Sequence, residues 1–149
     1  MLRKAKIKDI EQIRKLINSY ADKEQMLHRS LNELDEGLRD FFVIERQGKV
    51  VACCALHIDW KDLAEIKSLA VSEKQKKKGL GRHLMEICLK EAKEIGVVKV
   101  FALTYVPEFF EKFGFKRTEK EDLPHKIWNE CTKCPKFPDC DEVPLIKEI

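Results

Sequence analysis

The chain has 149 residues, of which 44% are hydrophobic, and its 29 basic and 26 acidic side chains give a net charge of +3. A chain of this length buries about two-thirds of its unfolded surface, which predicts one domain over residues 1–149. The charge is nearly balanced and its excess is local to residues 74–82, so bulk attraction to nucleic acid is not implied. No apolar run of about 18 residues occurs, and the N-terminus MLRKAKIKDIE is charged throughout, so a membrane span and a signal peptide are excluded and a cytoplasmic protein is expected.

The N-terminal part of the chain predicts a strand and two helices. The strand is expected near residues 2–7, and a helix is expected from Asp9 onward. Apolar residues recur there at helical spacing, at Ile10, Ile13, Leu16, Ile17 and Tyr20. The sequence SLNE at residues 30–33 has the pattern of a capping box, which predicts a second helix from Ser30 to about Arg39.

Three strands are predicted next. Residues 41–45 and 49–59 have the composition of a hairpin, and the turn between them contains Gln47-Gly48. Residues 64–71 (AEIKSLAV) follow as a third strand rich in apolar residues. Together these segments predict a small meander.

A lysine-rich glycine turn, KQKKKGLGR at residues 74–82, then opens a helix. Gly79 and Gly81 let the backbone approach a phosphate, and the first amides of a helix carry the positive end of its dipole. The turn is not a Walker loop, because Arg82 follows the last glycine, and a dinucleotide motif would need a small residue where Leu84 stands. The turn predicts a site for a phosphorylated ligand, and a solvated loop is the alternative.

The rest of the pattern completes an alternation of helices and strands. Gly96 is placed to cap the helix that Gly81 opens. A buried strand is predicted at residues 97–103, and a short helix is expected to begin near Pro107. Gly114-Phe115 leads toward a further strand. The predicted order is β-α-α-β-β-β-α-β-α-β.

The glycine turn and the strand before it resemble the acyl-CoA loop of the GNAT acetyltransferase superfamily. The family pattern Q/R-x-x-G-x-G/A is matched at residues 76–81, with lysine in the first position. The resemblance covers about residues 1–120 and implies the α/β (α+β) GNAT fold, a mixed and mostly antiparallel sheet flanked by helices. It implies acetyl-CoA as co-substrate, with backbone groups of Leu69 and Val71 on the pantetheine arm. The residues that would hold the pyrophosphate are Lys76, Lys77, Lys78, Gly79, Leu80, Gly81 and Arg82.

Acetyl transfer from a thioester to an amine needs a neutral amine, a stabilised oxyanion and a proton for the leaving thiolate. Glu65 stands where several family members place a carboxylate that takes the proton of the amine; a surface carboxylate or an ion pair is the alternative. The Leu69 amide is the candidate oxyanion donor. Many members carry a tyrosine acid where this chain has Phe110, so Tyr105 is the candidate replacement, with packing or protonation by solvent as alternatives.

Several segments resemble one branch of the superfamily, the acetyltransferase domain of N-acetylglutamate synthases. The segments are residues 26–30 (MLHRS), 52–56 (ACCAL), 100–115 (VFALTYVPEFFEKFGF) and 123–124 (LP). This resemblance implies that Arg29 and Thr104 contact glutamate, with Lys67 as a weaker addition. The two carboxylates of glutamate need fixed positive charge and hydrogen-bond donors. A solvated arginine near the helix cap is the alternative for Arg29. The amino-acid-kinase domain that often precedes this branch is not in the sequence, which leaves arginine feedback in doubt.

The C-terminal segment contains three of the six cysteines within ten residues. A structural zinc site is one interpretation, since sulfur and nitrogen ligands suit tetrahedral zinc. The candidate ligands are Cys131, Cys134, Cys140 and His125. Free thiols in a reducing cytosol or a disulfide are the alternatives. The other three cysteines are expected to be small buried residues, and His57 and His83 receive no role.

These patterns predict an acetyl-CoA-dependent amino-acid N-acetyltransferase, with a GNAT body over about residues 1–120 and a cysteine-containing tail over about 121–149. Glutamate is the favoured acceptor and arginine biosynthesis the implied pathway. The alternatives are acetylation of another amine, such as a protein N-terminus or a polyamine, and a CoA-sensing or metal-binding module without turnover. Small molecules are the expected partners, without nucleic acid or membrane, and the sequence leaves open whether the protein is a homodimer.

Overall fold

The computed structural model describes residues 1–22, 31–76, 78–119 and 142–149. The helices and strands are β1 (Leu2–Lys4), α1 (Ile10–Ala21), α2 (Leu31–Glu36), β2 (Phe41–Arg46), β3 (Lys49–Trp60), β4 (Leu63–Val71), α3 (Leu80–Ile95), β5 (Lys99–Thr104), α4 (Pro107–Glu111), β6 (Lys116–Arg117) and β7 (Val143–Glu148). Short 3₁₀ turns lie at Ile7–Asp9, Leu38–Asp40 and Glu73–Gln75.

The described strands form one mixed sheet with the order β1-β2-β3-β4-β5-β7-β6. The pairing of β4 with β5 is parallel, and the other pairs are antiparallel. This sheet, flanked by helices, confirms the predicted GNAT fold. Within the described ranges, no helix is both long enough and apolar enough to cross a membrane.

The two faces of the sheet are covered by different helices. On one face, buried residues of α1 and α2 pack on β2, β3 and the end of β4; this set includes Ile13, Ile17, Leu34, Val43, Ala55 and Ala70. On the other face, α3 packs on the sheet through a larger set that includes Leu84, Met85, Cys88, Leu56, Ile66 and Ala102. The alternation of side chains along each strand therefore decides which face a polar residue reaches.

Local sequence accounts for most of the element ends. The β2–β3 hairpin closes at Gln47 and Gly48, both with positive φ (52° and 76°), as two-residue hairpin turns require. Gly96 ends α3 with φ 96° and donates its backbone N–H to Ala92 and Lys93, as predicted. The sequence predicts α2 as far as Arg39, but the helix ends at Glu36, because Gly37 interrupts it and a 3₁₀ turn follows.

Strand β7 is absent from the sequence-based prediction, in which the family pattern ends near residue 120. It pairs with β5 over six residues, from Thr104 opposite Val143 to Lys99 opposite Glu148. A proline within so short a run argues against a strand that is paired on both sides. Pro144 nevertheless fits, since its carbonyl accepts a hydrogen bond from Thr118 N at 3.0 Å while the fully buried Leu145 anchors the strand.

Three charged side chains, Arg3, Asp9 and Glu45, join β1, the entry to α1 and β2; we call them the N-terminal ion cluster. The Arg3 guanidinium donates to the two Asp9 carboxylate oxygens at 2.7 and 2.9 Å and to Glu45 at 3.0 Å. Asp9 also accepts from the Lys6 backbone N–H at 2.7 Å. The Arg3 hydrogen bond is the main reason that the pKa of Asp9 is lowered.

Candidate functional site

The parallel pairing of β4 with β5 stops early. Only Leu63, Ala64 and Glu65 of β4 pair with β5, opposite Lys99, Val100 and Phe101, while β4 pairs with β3 along nearly its whole length. Beyond Glu65 the two described strands separate toward their carboxyl ends. The separation exposes one edge of residues 66–71, and the backbone groups of such an edge need a partner or solvent.

A bulge in β4 begins where the strands have separated. Lys67 lies opposite Ala55 and Ala70 opposite Cys53, so Ser68 and Leu69 together face one residue of β3. Ser68 has φ 56°, a left-handed conformation that non-glycine residues rarely adopt. The extra residue changes the alternation, so that Ile66 and Leu69 both pack toward α3. Because Ser68 is not glycine, the sequence does not signal this bulge.

Beyond the bulge, the backbone groups of Val71 point away from β3. Ser72 N donates to Val51 O at 2.7 Å, so in the regular antiparallel ladder beyond the bulge the backbone groups of Ala70 and Ser72 face β3 and those of Val71 face away. The Val71 carbonyl accepts a hydrogen bond from the Tyr20 hydroxyl of α1. The N–H of Val71 faces the same way as its carbonyl, and the role of the Leu69 amide, which lies in the bulge, stays a prediction.

The N-terminus of α3 has the geometry expected of an anion site. Gly79 precedes the helix with φ 79°, and a Cβ built on it meets no atom within 4 Å, so backbone conformation alone requires glycine there. His83 N donates to Gly79 O at 3.1 Å. The amides of Leu80, Gly81 and Arg82 precede that bond and lie at the positive end of a 16-residue helix.

Gly81 has a second reason to be glycine. A Cβ at this position would lie 3.3 and 3.5 Å from ring atoms of Phe109 on α4. Phe109 contacts Phe110 and Phe113 through its ring, with centroids 5.6 and 5.2 Å apart. A larger residue at position 81 would therefore disturb the packing of α4 as well as the space in front of the helix.

The loop lysines are held by nearby side chains. Lys76 Nζ lies 3.3 Å from Glu73 Oε1 and 4.8 Å from the ring centroid of Tyr20, a contact that raises the pKa of Lys76. Lys78 Nζ donates to Gln75 Oε1 at 3.4 Å. Lys76 and Lys78 thus surround the N-terminus of α3 with positive charge. Tyr20 was predicted only as a core residue, and the structure adds its contacts to Lys76 and Val71.

Glu65 and Lys67 lie on the same face of β4, on the side of α1. Glu65 is 7% exposed, which argues against a solvated surface carboxylate. It lies opposite His57 of β3. The structure therefore places the candidate base beside one candidate substrate cation, Lys67.

Thr104 ends β5 on the face opposite to that of Glu65, and Tyr105 directly follows the strand. Thr104 is buried, and its Oγ1 accepts a hydrogen bond from Val106 N at 3.0 Å. Thr104 lies on the same face of β5 as Val100 and Ala102, which pack under α3. Glu65 lies on the opposite face of the sheet. Tyr105 is partly buried. Phe110 is buried against Phe115 with ring centroids 5.4 Å apart, so this position holds a core residue.

A second group of charged residues borders Glu65: Asp40, His57 and Asp59, which we call the histidine cluster. His57 Nδ1 lies 2.7 Å from Asp40 Oδ2, and Nε2 lies 3.9 Å from Asp59 Oδ1. The hydrogen bond to Asp40 raises the pKa of His57, against the opposing effects of burial and of the Lys67 charge. The sequence gives His57 no role. The alternation of side chains along β3 could have shown which face His57 lies on. Only the register between β3 and β4, however, identifies Glu65 as its neighbour.

The cysteines of the body are core residues, as predicted. Cys53, Cys54 and Cys88 are buried, and Cys54 Sγ lies 3.8 Å from Cys88 Sγ. Burial raises the pKa of the Cys53 thiol to about 12. Such thiols are poor nucleophiles at neutral pH.

Several predicted site residues lie outside the described ranges, and their roles stay predictions. They are Arg29, Lys77, His125, Cys131, Cys134 and Cys140. Among the described residues there is no group of three or more side chains suited to a metal ion.

Residues 7–115 match the model of the family described as Acetyltransferase (GNAT) family. An uncharacterised N-acetyltransferase of Chlorobaculum tepidum is 43% identical over 148 residues, which are 99% of this chain and 96% of that protein. An amino-acid acetyltransferase of Mycobacterium tuberculosis is 34% identical over 133 residues, covering 87% of this chain and 76% of the relative.

Two solved structures share the fold. A Mycobacterium tuberculosis protein in complex with CoA and NLQ superposes with a TM-score of 0.85 at 28% identity, covering 100% of this chain and 99% of that one. N-acetylglutamate synthase from Neisseria gonorrhoeae, complexed with coenzyme A and N-acetyl-glutamate, superposes with a TM-score of 0.90 at 27% identity. That match covers 99% of this chain but 34% of the synthase.

Proposed function

Since this chain belongs to the acetyltransferase (GNAT) family and is an acetyl-CoA-dependent N-acetyltransferase, we propose that its acceptor is the α-amine of L-glutamate. The similarity to an amino-acid acetyltransferase over most of both chains supports an amino-acid acceptor. The similarity to a synthase complexed with N-acetyl-glutamate supports glutamate. A role in arginine biosynthesis and a cytoplasmic location belong to the same proposal.

The place of Lys67 beside Glu65 on β4 is the observation that carries the choice of an acidic acceptor, and the separation of β4 and β5 immediately after Glu65 supports acetyl-CoA as its partner in the reaction. The separation offers a slot for an extended ligand arm beside residues 66–71, and we propose that the N–H groups of Leu69 and Val71 hold the arm there. The N-terminus of α3 lies at the end of the connection that follows β4, where its first amides suit a pyrophosphate. Acetyl-CoA carries an extended pantetheine arm that leads to a pyrophosphate. The slot and the helix N-terminus follow each other in the same order, so the described residues fit acetyl-CoA as co-substrate.

The proposed chemistry uses residues on both edges of the separation. Glu65 takes a proton from the ammonium group of the acceptor, which makes the amine a nucleophile. The N–H of Leu69 donates to the carbonyl oxygen as negative charge develops on it during attack. The thiolate of CoA then receives a proton from Tyr105 or from solvent, since a thiol with a pKa of about 8.5 is only a moderately basic leaving group.

Two positive side chains are proposed to select the acidic acceptor. Lys67 lies on the same face of β4 as Glu65, where its ammonium group would pair with the carboxylate beside the reacting amine. Arg29 would pair bidentately with the second carboxylate of glutamate. Another amine as acceptor remains the alternative that an assay must separate.

Release of CoA thiol, measured across the twenty amino acids, a polyamine and a short peptide, tests the acceptor. We expect turnover with glutamate above all others. A protein that acetylates a cationic amine but ignores glutamate would overturn the choice of acceptor. Binding of acetyl-CoA without turnover on any amine would favour a sensing module.

Replacing Glu65 with Gln tests the base. We expect kcat to fall by roughly 10²-fold, and most strongly at low pH, where more of the amine is protonated. Acetyl-CoA affinity in calorimetry should stay near that of the parent. The control is Glu94→Gln, an exposed carboxylate on α3, which should leave kcat unchanged. A pH–rate profile of Glu65→Gln that overlays the parent's would remove Glu65 from the mechanism.

Replacing Arg29 with Ala tests the substrate contact. Removing one partner of a desolvated charge pair costs on the order of 2–5 kcal/mol, so the KM for glutamate should rise at least about tenfold. Acetyl-CoA binding should not change. Glutamate turnover with an unaltered KM would show that Arg29 only lies near the surface of the helix cap.

A further inference from the structure

Acetylation of an ammonium acceptor leaves one proton that the enzyme must release. The ammonium loses two N–H protons on its way to the amide; one goes to the CoA thiolate, and the other goes to the solvent. In the mechanism proposed above, Glu65 takes the proton that must reach the solvent, and Glu65 is 7% exposed. A base so deeply buried needs a neighbouring group that exchanges protons with water before the next turnover.

We propose that His57, oriented by Asp40, receives this proton from Glu65 and passes it to solvent. This inference rests on the proposed role of Glu65 as the base. The protons balance: the Glu65 carboxyl gives its proton to Nε2 of neutral His57 through one water, and the imidazolium then gives the proton to buffer. The carboxylate and the neutral imidazole are thereby restored.

The register of the sheet carries the first step. His57 and Glu65 lie directly opposite each other on neighbouring antiparallel strands. Their side chains share one face, and Cβ atoms in such pairs lie about 5 Å apart. In the structure His57 Nε2 lies 3.9 Å from Asp59 Oδ1, so the proposed transfer from Glu65 runs through one water that the two side chains share.

Asp40 carries the second step, because it fixes the imidazole tautomer. The Asp40 carboxylate accepts only from a protonated nitrogen, and it lies 2.7 Å from Nδ1. Neutral His57 therefore carries its proton on Nδ1, which leaves the Nε2 lone pair available. A base oriented in this way by a carboxylate is the arrangement that proton-transferring histidines use.

Exposure and charge favour outward transfer. The His57 side chain is 37% exposed, so it can reach buffer, whereas Glu65 cannot readily do so. The charged groups that face His57 are Asp40, Asp59, Glu65 and Lys67. Three of these four are acidic, and Asp40 raises the pKa of His57, so the imidazolium is a better proton holder than an ordinary carboxyl group.

The test is chemical rescue of His57→Ala in steady-state assays with the best acceptor of the panel. In dilute, bulky buffer we expect kcat to fall about tenfold, and millimolar imidazole should restore most of the loss. Imidazole should not restore Glu65→Gln. The control is Ile58→Ala, on the same strand but on the opposite face and exposed, which should keep the parent kcat with or without imidazole.

Asp40→Asn gives a second readout. It removes the bond that raises the pKa of His57, so the acidic limb of the kcat profile should move to lower pH, and in His57→Ala that limb should disappear. A His57→Ala enzyme with parental kcat in dilute buffer, or with a loss that imidazole does not relieve, would overturn the proposal. If Glu65→Gln keeps the parental kcat, the role of Glu65 as the base is wrong, and the relay is wrong with it. If kcat falls in Glu65→Gln but not in His57→Ala, Glu65 can still be the base and only the relay through His57 is wrong.

Discussion

The N-terminal ion cluster and the histidine cluster each join a cation to two carboxylates on the same sheet, but they differ in burial and in the cation. Asp9 is 1% exposed and is bound by both nitrogens of a permanently charged guanidinium, Arg3. His57 is 37% exposed, makes one short contact and can lose its charge near neutral pH.

The difference shows how charge is used for stability and for chemistry in one domain. Arginine does not release its proton at any working pH, so the Arg3–Asp9 pair can only hold β1 against the start of α1. Histidine exchanges protons, and its cluster borders the candidate base on β4. We therefore expect mutations in the first cluster to affect folding and mutations in the second to affect turnover.

The largest effect is expected from Asp9→Asn. The change leaves the largely buried Arg3 guanidinium without its main counter-charge, and breaking a buried pair in this way costs about 3–5 kcal/mol of unfolding free energy. Urea denaturation measures it. The control is Glu11→Gln, whose pair with Arg14 at 2.8 Å is largely exposed and should contribute about 0–1 kcal/mol.

The stabilisation by the Arg3–Asp9 pair depends on pH. Arg3 lowers the pKa of Asp9 in the folded protein, so the stabilisation is present above the ordinary carboxyl pKa and is lost as the pH falls through the folded value. Asp9→Asn should therefore destabilise at neutral pH and lose its effect in acid. Equal losses for Asp9→Asn and Glu11→Gln would end the assignment of a structural role to the N-terminal ion cluster.

Features set by local sequence were predictable. The apolar periodicity of α1 and α3, the hairpin at Gln47-Gly48 and the cap at Gly96 each depend on a few neighbouring residues, and the structure contains all of them. The glycine turn at residues 74–82 also depends on neighbouring residues alone. Its two glycines predict the turn from the sequence. Only Gly79 has a backbone conformation that requires glycine, whereas Gly81 does not.

Features set by strand register were not predictable. The bulge at Ser68 depends on how β4 aligns with β3, and a serine with positive φ gives no signal in the sequence. Asp40 and His57 are 17 residues apart and meet only after the sheet forms. Strand β7 fills the space beside β5 through Leu145, despite a proline that argues against it. One sequence shows which residues are capable of chemistry, but not which strands bring them together.

The smallest expected effect is the contribution of the histidine cluster to stability. Asp40 raises the pKa of His57 in the folded protein, so the stabilisation is fully present below the ordinary histidine pKa and is lost as the pH rises through the folded value. Because both side chains are partly exposed and solvent screens them, the loss should be at most about 1 kcal/mol. Urea titrations of the parent, His57→Ala, Asp40→Asn and the double variant, at about pH 5.5 and about pH 8.5 on either side of the ordinary histidine value, measure it. The parent should lose more stability across this range than either single variant, and the double variant should behave like the singles because all three lack the same bond. A parent whose pH dependence parallels that of the variants would show that the His57–Asp40 contact does not change the proton affinity of the imidazole, and the tautomer assigned to His57 would lose its support.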